Sequence, residues 1–400
     1  MATTKRTGGR ILGTIILVLV AALSIAGCAT PAGDTSGGGA APPKEPVKIG
    51  AVLSLTGSYA GLGAPEKNTL LMEVAAINAA GGVNGRQIEL FIEDDATDPA
   101  KAQAAAVKLI EQYGVVALIG ATGTGQTMGM RGDVDRAGVP QVSVAGGTVI
   151  TAQFDPLVFQ TPWSNSLVVP FTLERLKKDG VAKIALIADS GGFGKDGIDV
   201  IKKLAPDYGI TVSSEQLFNA GDTDMTSQLT KIKGSGAQAV VMWTAGKEAA
   251  IVASNMKQLG MTVPLVGSHG NARREFITGA GPAAEGFTFA AGKVLSPDQY
   301  GTGSPEYKVA TDFIDRYTKQ YGSAPDTFAG HAYDAIHIIA NALGTVDEVT
   351  PSKLRDAIEQ TKGFVGVGGT FTFSPTDHNG MKATDLVTYE VTGGEWTVLK

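Results

Sequence analysis

Two glycine-rich stretches, one acidic cluster and four histidines are where chemistry could sit in this 400-residue sequence. Gly120-Ala121-Thr122-Gly123-Thr124-Gly125-Gln126-Thr127 nearly has the spacing of a phosphate-binding loop, but Gln126 stands where that loop needs a lysine. Without the cation the stretch loses its main charge for a triphosphate. What remains is backbone N–H groups and Thr hydroxyls at a helix start, a combination that suits a carboxylate. Gly192-Phe193-Gly194-Lys195-Asp196-Gly197 fits the dinucleotide pattern, with Glu215 about 20 residues further on. In a chain with 53 glycines that match arises easily by chance, and the stretch reads as a turn lining a cleft with Phe193 as a contact.

Glu93-Asp94-Asp95 with Asp98 lacks the alternating spacing of a calcium loop and reads as a strand end followed by a helix cap. His269, His331, His337 and His378 form no H-x-x-x-H pair and have no cysteine partners, so no metal site is expected. His331 and His337 are expected on a helix face near the surface. No G-x-S-x-G elbow occurs, and Asp189-Ser190 and Ser268-His269 are neighbours in sequence rather than a triad. The expectation is therefore a protein with no catalytic residues and no cofactor.

These stretches follow β-rich runs and open helical ones. Strands are predicted at 47–55, 87–93, 115–119 and 139–144, with helices over 63–80, 99–113 and from the Gly/Thr loop to 136. The rhythm restarts with strands at 183–188, 210–218, 239–243 and 263–266, separated by helices over 195–208, 224–233 and 247–259. Helices over 305–321, 327–343 and 351–361 follow, then strands near 369–373 and 385–391. Strand–helix alternation of this kind predicts an α/β fold with parallel sheets covered by helices, and its repetition predicts two similar lobes. In such sheets ligands lie beyond the carboxyl ends of the strands.

The first residues belong to none of this. Lys5, Arg6 and Arg10 precede an apolar run over 11–26, too short for the roughly 20 residues of a membrane span and typical of an export signal. Leu23-Ser24-Ile25-Ala26-Gly27-Cys28 resembles the lipobox of bacterial lipoproteins, which implies cleavage after residue 27 and lipid attachment at Cys28, the single cysteine of the chain. Residues 28–46 are rich in Gly, Pro and small polar residues and read as a flexible tether. Cleavage would remove three of 33 basic residues and none of 39 acidic ones. The mature chain is thus strongly acidic, which argues against nucleic acid or an anionic membrane surface as partner.

Gly50-Ala-Val-Leu-Ser-Leu-Thr-Gly57, Asn78-Ala-Ala-Gly-Gly-Val-Asn-Gly85 and Glu93-Asp-Asp-Ala-Thr-Asp-Pro99, in that order, resemble the leucine/isoleucine/valine-binding receptors of ABC importers. The resemblance implies two Rossmann-like lobes with parallel sheets, joined by a three-segment hinge (the type I periplasmic binding protein fold). Crossovers are expected near 161–166, 288–292 and 368–380. The expected division is 47–163 plus 291–370 for lobe 1, and 164–290 plus 371–400 for lobe 2. It also implies a monomer, exported and lipid-anchored to a bacterial membrane, that closes on an amino acid or small carboxylate and presents it to a membrane permease. The sequence leaves two alternatives: a receptor for an amine-free organic or aromatic acid, and a sensor of the same fold.

Carried over position by position, the resemblance places the ligand carboxylate at Thr124 and at the Ala145-Gly146-Gly147-Thr148 loop. It also places Phe193 as an aromatic wall from the second lobe, and Leu62 with Tyr59 as first-lobe contacts. His269 falls where the amino-acid receptors carry an acid that pairs with the ligand's ammonium. Either the ligand lacks that ammonium, or another acid such as Glu248 takes the role.

Overall fold

The computed structural model describes residues 44–399. The export signal, Cys28 and the tether up to residue 43 lie outside them. The first lobe alternates β1 (Val47–Leu53), α1 (Ala60–Ala79), β2 (Ile88–Asp94), α2 (Pro99–Lys108), β3 (Ala117–Gly120), α3 (Thr124–Ala137), β4 (Gln141–Ser143), the short α4 (Val149–Ala152) and β5 (Val158–Gln160). Its five strands are all parallel, in the order β2-β1-β3-β4-β5.

The chain then crosses to the second lobe through α5 (Asn165–Lys178), β6 (Lys183–Asp189), α6 (Gly192–Leu204), β7 (Thr211–Phe218), α7 (Thr226–Lys233), β8 (Ala239–Trp243), α8 (Glu248–Gln258), β9 (Leu265–Gly267), α9 (Arg274–Ala280) and β10 (Thr288–Gly292). It returns as α10 (Pro305–Tyr321), α11 (Thr327–Thr345), α12 (Pro351–Glu359) and a small hairpin of β11 (Phe364–Val365) with β12 (Thr370–Phe371). It ends as β13 (Leu386–Thr392) and β14 (Glu395–Val398), which extend the second sheet to β14-β13-β10-β9-β8-β6-β7. These last two strands are antiparallel, joined at Gly393-Gly394, both with positive φ, as a tight hairpin turn requires.

Strand alternation sorts the core. From β1, Ile49, Ala51 and Leu53 point toward α1 and α11, while Val52 points toward α2 and α3. In β8, Ala239, Val241 and Trp243 join the side of α5 and α6, and Val240 and Met242 the side of α7 to α9. The central strands of both sheets, such as β1, β3, β6 and β8, are thus buried on both faces, which is why they read as largely continuous apolar runs.

Two expected boundaries move. Residues 288–292 are a strand of the second sheet and not a crossover. Phe289 and Ala291 pack on one helical layer and Ala290 on the other, so the chain leaves that sheet only after Gly292. Residues 371–379 stay with the first lobe: His378 stacks on Phe159 at 4.0 Å, and its carbonyl accepts the Gln160 N–H at 2.9 Å. Two of the segments that cross between lobes, after Gln160 and after Gly292, meet at the fully buried Trp163. A Cβ on Gly292 would overlap its indole, and one on Gly368 would lie 3.7 Å from it.

Candidate functional site

The loops that follow the strands of both lobes converge on a shared cavity. From the first lobe come Tyr59 and Leu62 at the start of α1, Thr122-Gly123-Thr124 after β3, Val144-Ala145-Gly146 after β4, and Pro162 after β5. From the second lobe come Phe193 on the first turn of α6, Ala245 after β8, and His269-Gly270 after β9. Phe328 and His331 on α11 complete the wall.

Thr124 is the first residue of α3, so N–H groups of that turn have no acceptor within the helix. Its hydroxyl is buried and has no hydrogen-bond partner. Gly147 packs directly on it, where a Cβ would lie 2.7 Å from Thr124 Oγ1. Beside it, the Thr122 hydroxyl donates to Glu66 at 2.5 Å and accepts the Ser54 N–H at 3.0 Å, which fixes the loop to β1 and α1.

His269 is 6% exposed, and neither ring nitrogen has a partner. Its ring meets Phe193 edge-on, with centroids 5.2 Å apart and planes at 76°. Burial lowers its pKa to about 3. His331 is buried between Trp163 and Phe328, with ring centroids 5.6 and 5.9 Å away, and its Nδ1 has no partner. Burial, then the neighbouring His269, lowers its pKa to about 3 as well. The cavity therefore holds two neutral imidazoles, each able to offer one donor and one acceptor.

His331 was expected near the surface. The reason for the difference is that α11 is buried on nearly all sides, so apolar spacing does not reveal which face meets the cleft. His337, one turn and a half further along, is half-buried and bonded to Glu73 at 2.9 Å.

Tyr59, Leu62, Thr124, Ala145, Gly146, Phe193 and His269 all border the cavity. Thr148 does not. Its N–H donates to Asp196 Oδ2 at 2.7 Å, and the Val149 N–H reaches Oδ1 at 3.2 Å, so this end of the loop is tied to the second lobe by the protein's own carboxylate. Asp196 also accepts from the Asn165 amide at 2.6 Å, and Asn165 in turn accepts the Trp243 indole N–H at 3.0 Å.

Glu248, the candidate replacement acid, is occupied likewise. It accepts the Ser58 hydroxyl across the cleft at 2.5 Å and the Gly221 N–H at 2.7 Å. Asp189 accepts the Gly191 N–H at 2.9 Å through Oδ1, keeps Oδ2 buried without a partner, and is raised by burial to about 6. The Glu93–Asp98 cluster is spent on structure. Glu93 pairs with Lys108, Asp94 closes the loop after β1 through Leu55, Thr56 and Ala96, and Asp98 caps α2. Among the described residues no group of three or more His, Cys, Asp or Glu side chains is placed to hold a metal, and no helix is long and apolar enough to cross a membrane.

Gly146 allows the closest approach of the two lobes. A Cβ there would collide with His269 Nε2 and lie 3.2 Å from the Trp163 carbonyl. Both neighbours are buried, so Gly146→Ala should prop the cleft apart. Overpacking of this kind costs about 1–3 kcal/mol, which corresponds to roughly 5- to 150-fold weaker ligand capture. Titration calorimetry would check it, and an unchanged Kd would mean that the lobes do not need this contact.

Residues 46–395 match the family described as periplasmic binding protein. The leucine-, isoleucine-, valine-, threonine- and alanine-binding protein of Pseudomonas aeruginosa is 29% identical over 386 residues, covering 94% of this chain and 95% of the relative. Among solved structures, an extracellular ligand-binding receptor from Rhodopseudomonas palustris superposes with a TM-score of 0.83 at 26% identity, covering 88% of this chain and 99% of that one. LivJ of Streptococcus pneumoniae, a branched-chain amino acid transporter substrate-binding protein solved with isoleucine, gives 0.78 at 28% identity, covering 89% and 99%.

Proposed function

The chain belongs to the periplasmic binding protein family, and from that premise we propose that it is an extracytoplasmic solute receptor. It captures a branched-chain amino acid or related small carboxylate between its lobes and delivers it to a membrane ABC permease. One observation carries the reading. The cavity is enclosed by both lobes and presents buried, unpartnered polar groups on Thr124, His269 and His331. Such groups cost free energy unless a ligand satisfies them. None of them forms a nucleophile–base pair, which supports binding without turnover.

In this reading Thr124 and the first turn of α3 receive the carboxylate. Leu62, Ala145, Gly146, Tyr59 and Phe193 shape the apolar remainder, and the cross-lobe bonds of Asp196 and Glu248 hold the closed form. The lobes divide at Gln160, Gly292 and the stretch between Asn379 and Leu386. A lipid at Cys28 would keep the monomeric receptor beside its permease.

The test is thermal unfolding of the purified full-length protein, first freed of carried-over solute, against amino acids and carboxylates. A ligand at a hundred times its Kd should stabilise by about 2.7 kcal/mol. A panel in which no small carboxylate or amino acid moves the transition would sink the proposal.

A further inference from the structure

The cavity wall holds no aspartate or glutamate. Its polar side chains are hydroxyls, a phenol and two imidazoles, and three imidazole nitrogens lack partners: Nδ1 and Nε2 of His269 and Nδ1 of His331. A ligand ammonium buried here would meet no carboxylate, and an uncompensated buried cation is strongly disfavoured. Both carboxylate oxygens of Glu248 accept hydrogen bonds, from Ser58 and Gly221. Asp189 does not line the cavity; its Oδ1 accepts the Gly191 N–H, and its Oδ2 is buried without a partner. The two imidazoles can instead donate to, or accept from, an uncharged oxygen.

Building on the receptor reading above, we propose that the preferred ligand is a carboxylate without an α-ammonium group. Its acid end sits at Thr124 and the first turn of α3, and an oxo or hydroxyl oxygen sits between His269 and His331. The rest of the ligand lies against Leu62, Phe193 and Phe328.

The test uses two matched sets on the full-length protein, differing only at C2: leucine, 4-methyl-2-oxopentanoate and 4-methylpentanoate; and phenylalanine, 3-phenyl-2-oxopropanoate and 3-phenylpropanoate. Titration calorimetry should show the oxo acid of at least one set binding ten-fold or more tightly than its amino acid. His269→Glu should shift that ratio toward the amino acid. Amino acids that bind as tightly as their oxo acids in both sets overturn this proposal and leave the receptor reading standing. If Asp189→Asn then abolishes that binding, Asp189 is the ammonium's partner and the assignment of the imidazoles is wrong. If no member of either set binds, this proposal falls together with its carboxylate premise.

Discussion

Replacing Asp196 by alanine should weaken ligand binding by about 10- to 100-fold. The carboxylate sits on the second lobe, yet two of its three hydrogen bonds go to backbone N–H groups of the first, at Thr148 and Val149. Those two bonds exist only when the lobes are together. In an open molecule water would serve all the groups involved. Hydrogen bonds to a charged partner contribute about 1.5–3 kcal/mol, and whatever stabilises the closed form alone enters the apparent affinity directly. Asp196→Asn keeps an acceptor and should lose less. Calorimetric titration measures the effect, and thermal unfolding of the unliganded variant separates it from damage within the second lobe, where Asp196 also bonds Asn165. An affinity unaffected by the alanine would mean that closure does not depend on this bond.

The second large effect is a pH dependence of stability. His331 is held at a pKa of about 3 by burial and by His269, against about 6.5 in an unfolded chain. Between those values the unfolded state binds a proton that the folded state refuses. Stability therefore falls as pH drops through 6.5, and the loss is complete near pH 3. His331→Asn removes that proton. Its stability should decline less steeply than that of the parent protein, by roughly 1.4 kcal/mol per pH unit between pH 6 and 4. Asp189, Asp326 and Asp334, raised by burial to about 6, 7 and 8, act with the opposite sign. They bind protons in the folded state first and gain stability on acidification. All three persist in the variant, so the difference between the two curves isolates the imidazole. Urea unfolding across that range provides the comparison, and parallel curves would show that His331 is already solvated in the folded protein.

Much of the architecture is visible in residue pattern. Strands buried on both faces are apolar runs of four to eight residues, and those over β1, β6 and β8 stand out because glycine-rich stretches bound them. What escaped was short or interrupted. β5 has three residues, and α5 carries Pro170 in its middle, a breaker that the surrounding packing of Val168, Val169 and Leu173 overrides. β10 was placed as a crossover by the family resemblance alone, and at five residues ending in glycine it has little strand pattern of its own.

For the cavity, spacing after strands located the loops, since a loop at the carboxyl end of a parallel strand has few other places to go. It could not decide which residue of a loop turns inward. Thr148 lies two residues beyond Gly146, and only the position of Asp196 on the facing lobe shows that its N–H is already taken. His331 escaped for a different reason. It comes from the second turn of a long helix whose surroundings are fixed by α1, far away in sequence.

That distance has a kinetic side. The bond between Glu73 on α1 and His337 on α11 spans 264 residues, and the stretch from α5 to β10, most of the second lobe, is made between the two helices it joins. The first sheet therefore lacks its covering helix until nearly the whole polypeptide exists, and closing so long a loop carries an entropic cost that local contacts do not. The parallel strands of the second sheet, β6 to β10, are contiguous in sequence and can gather early, whereas the first sheet, made before them, must wait for α11.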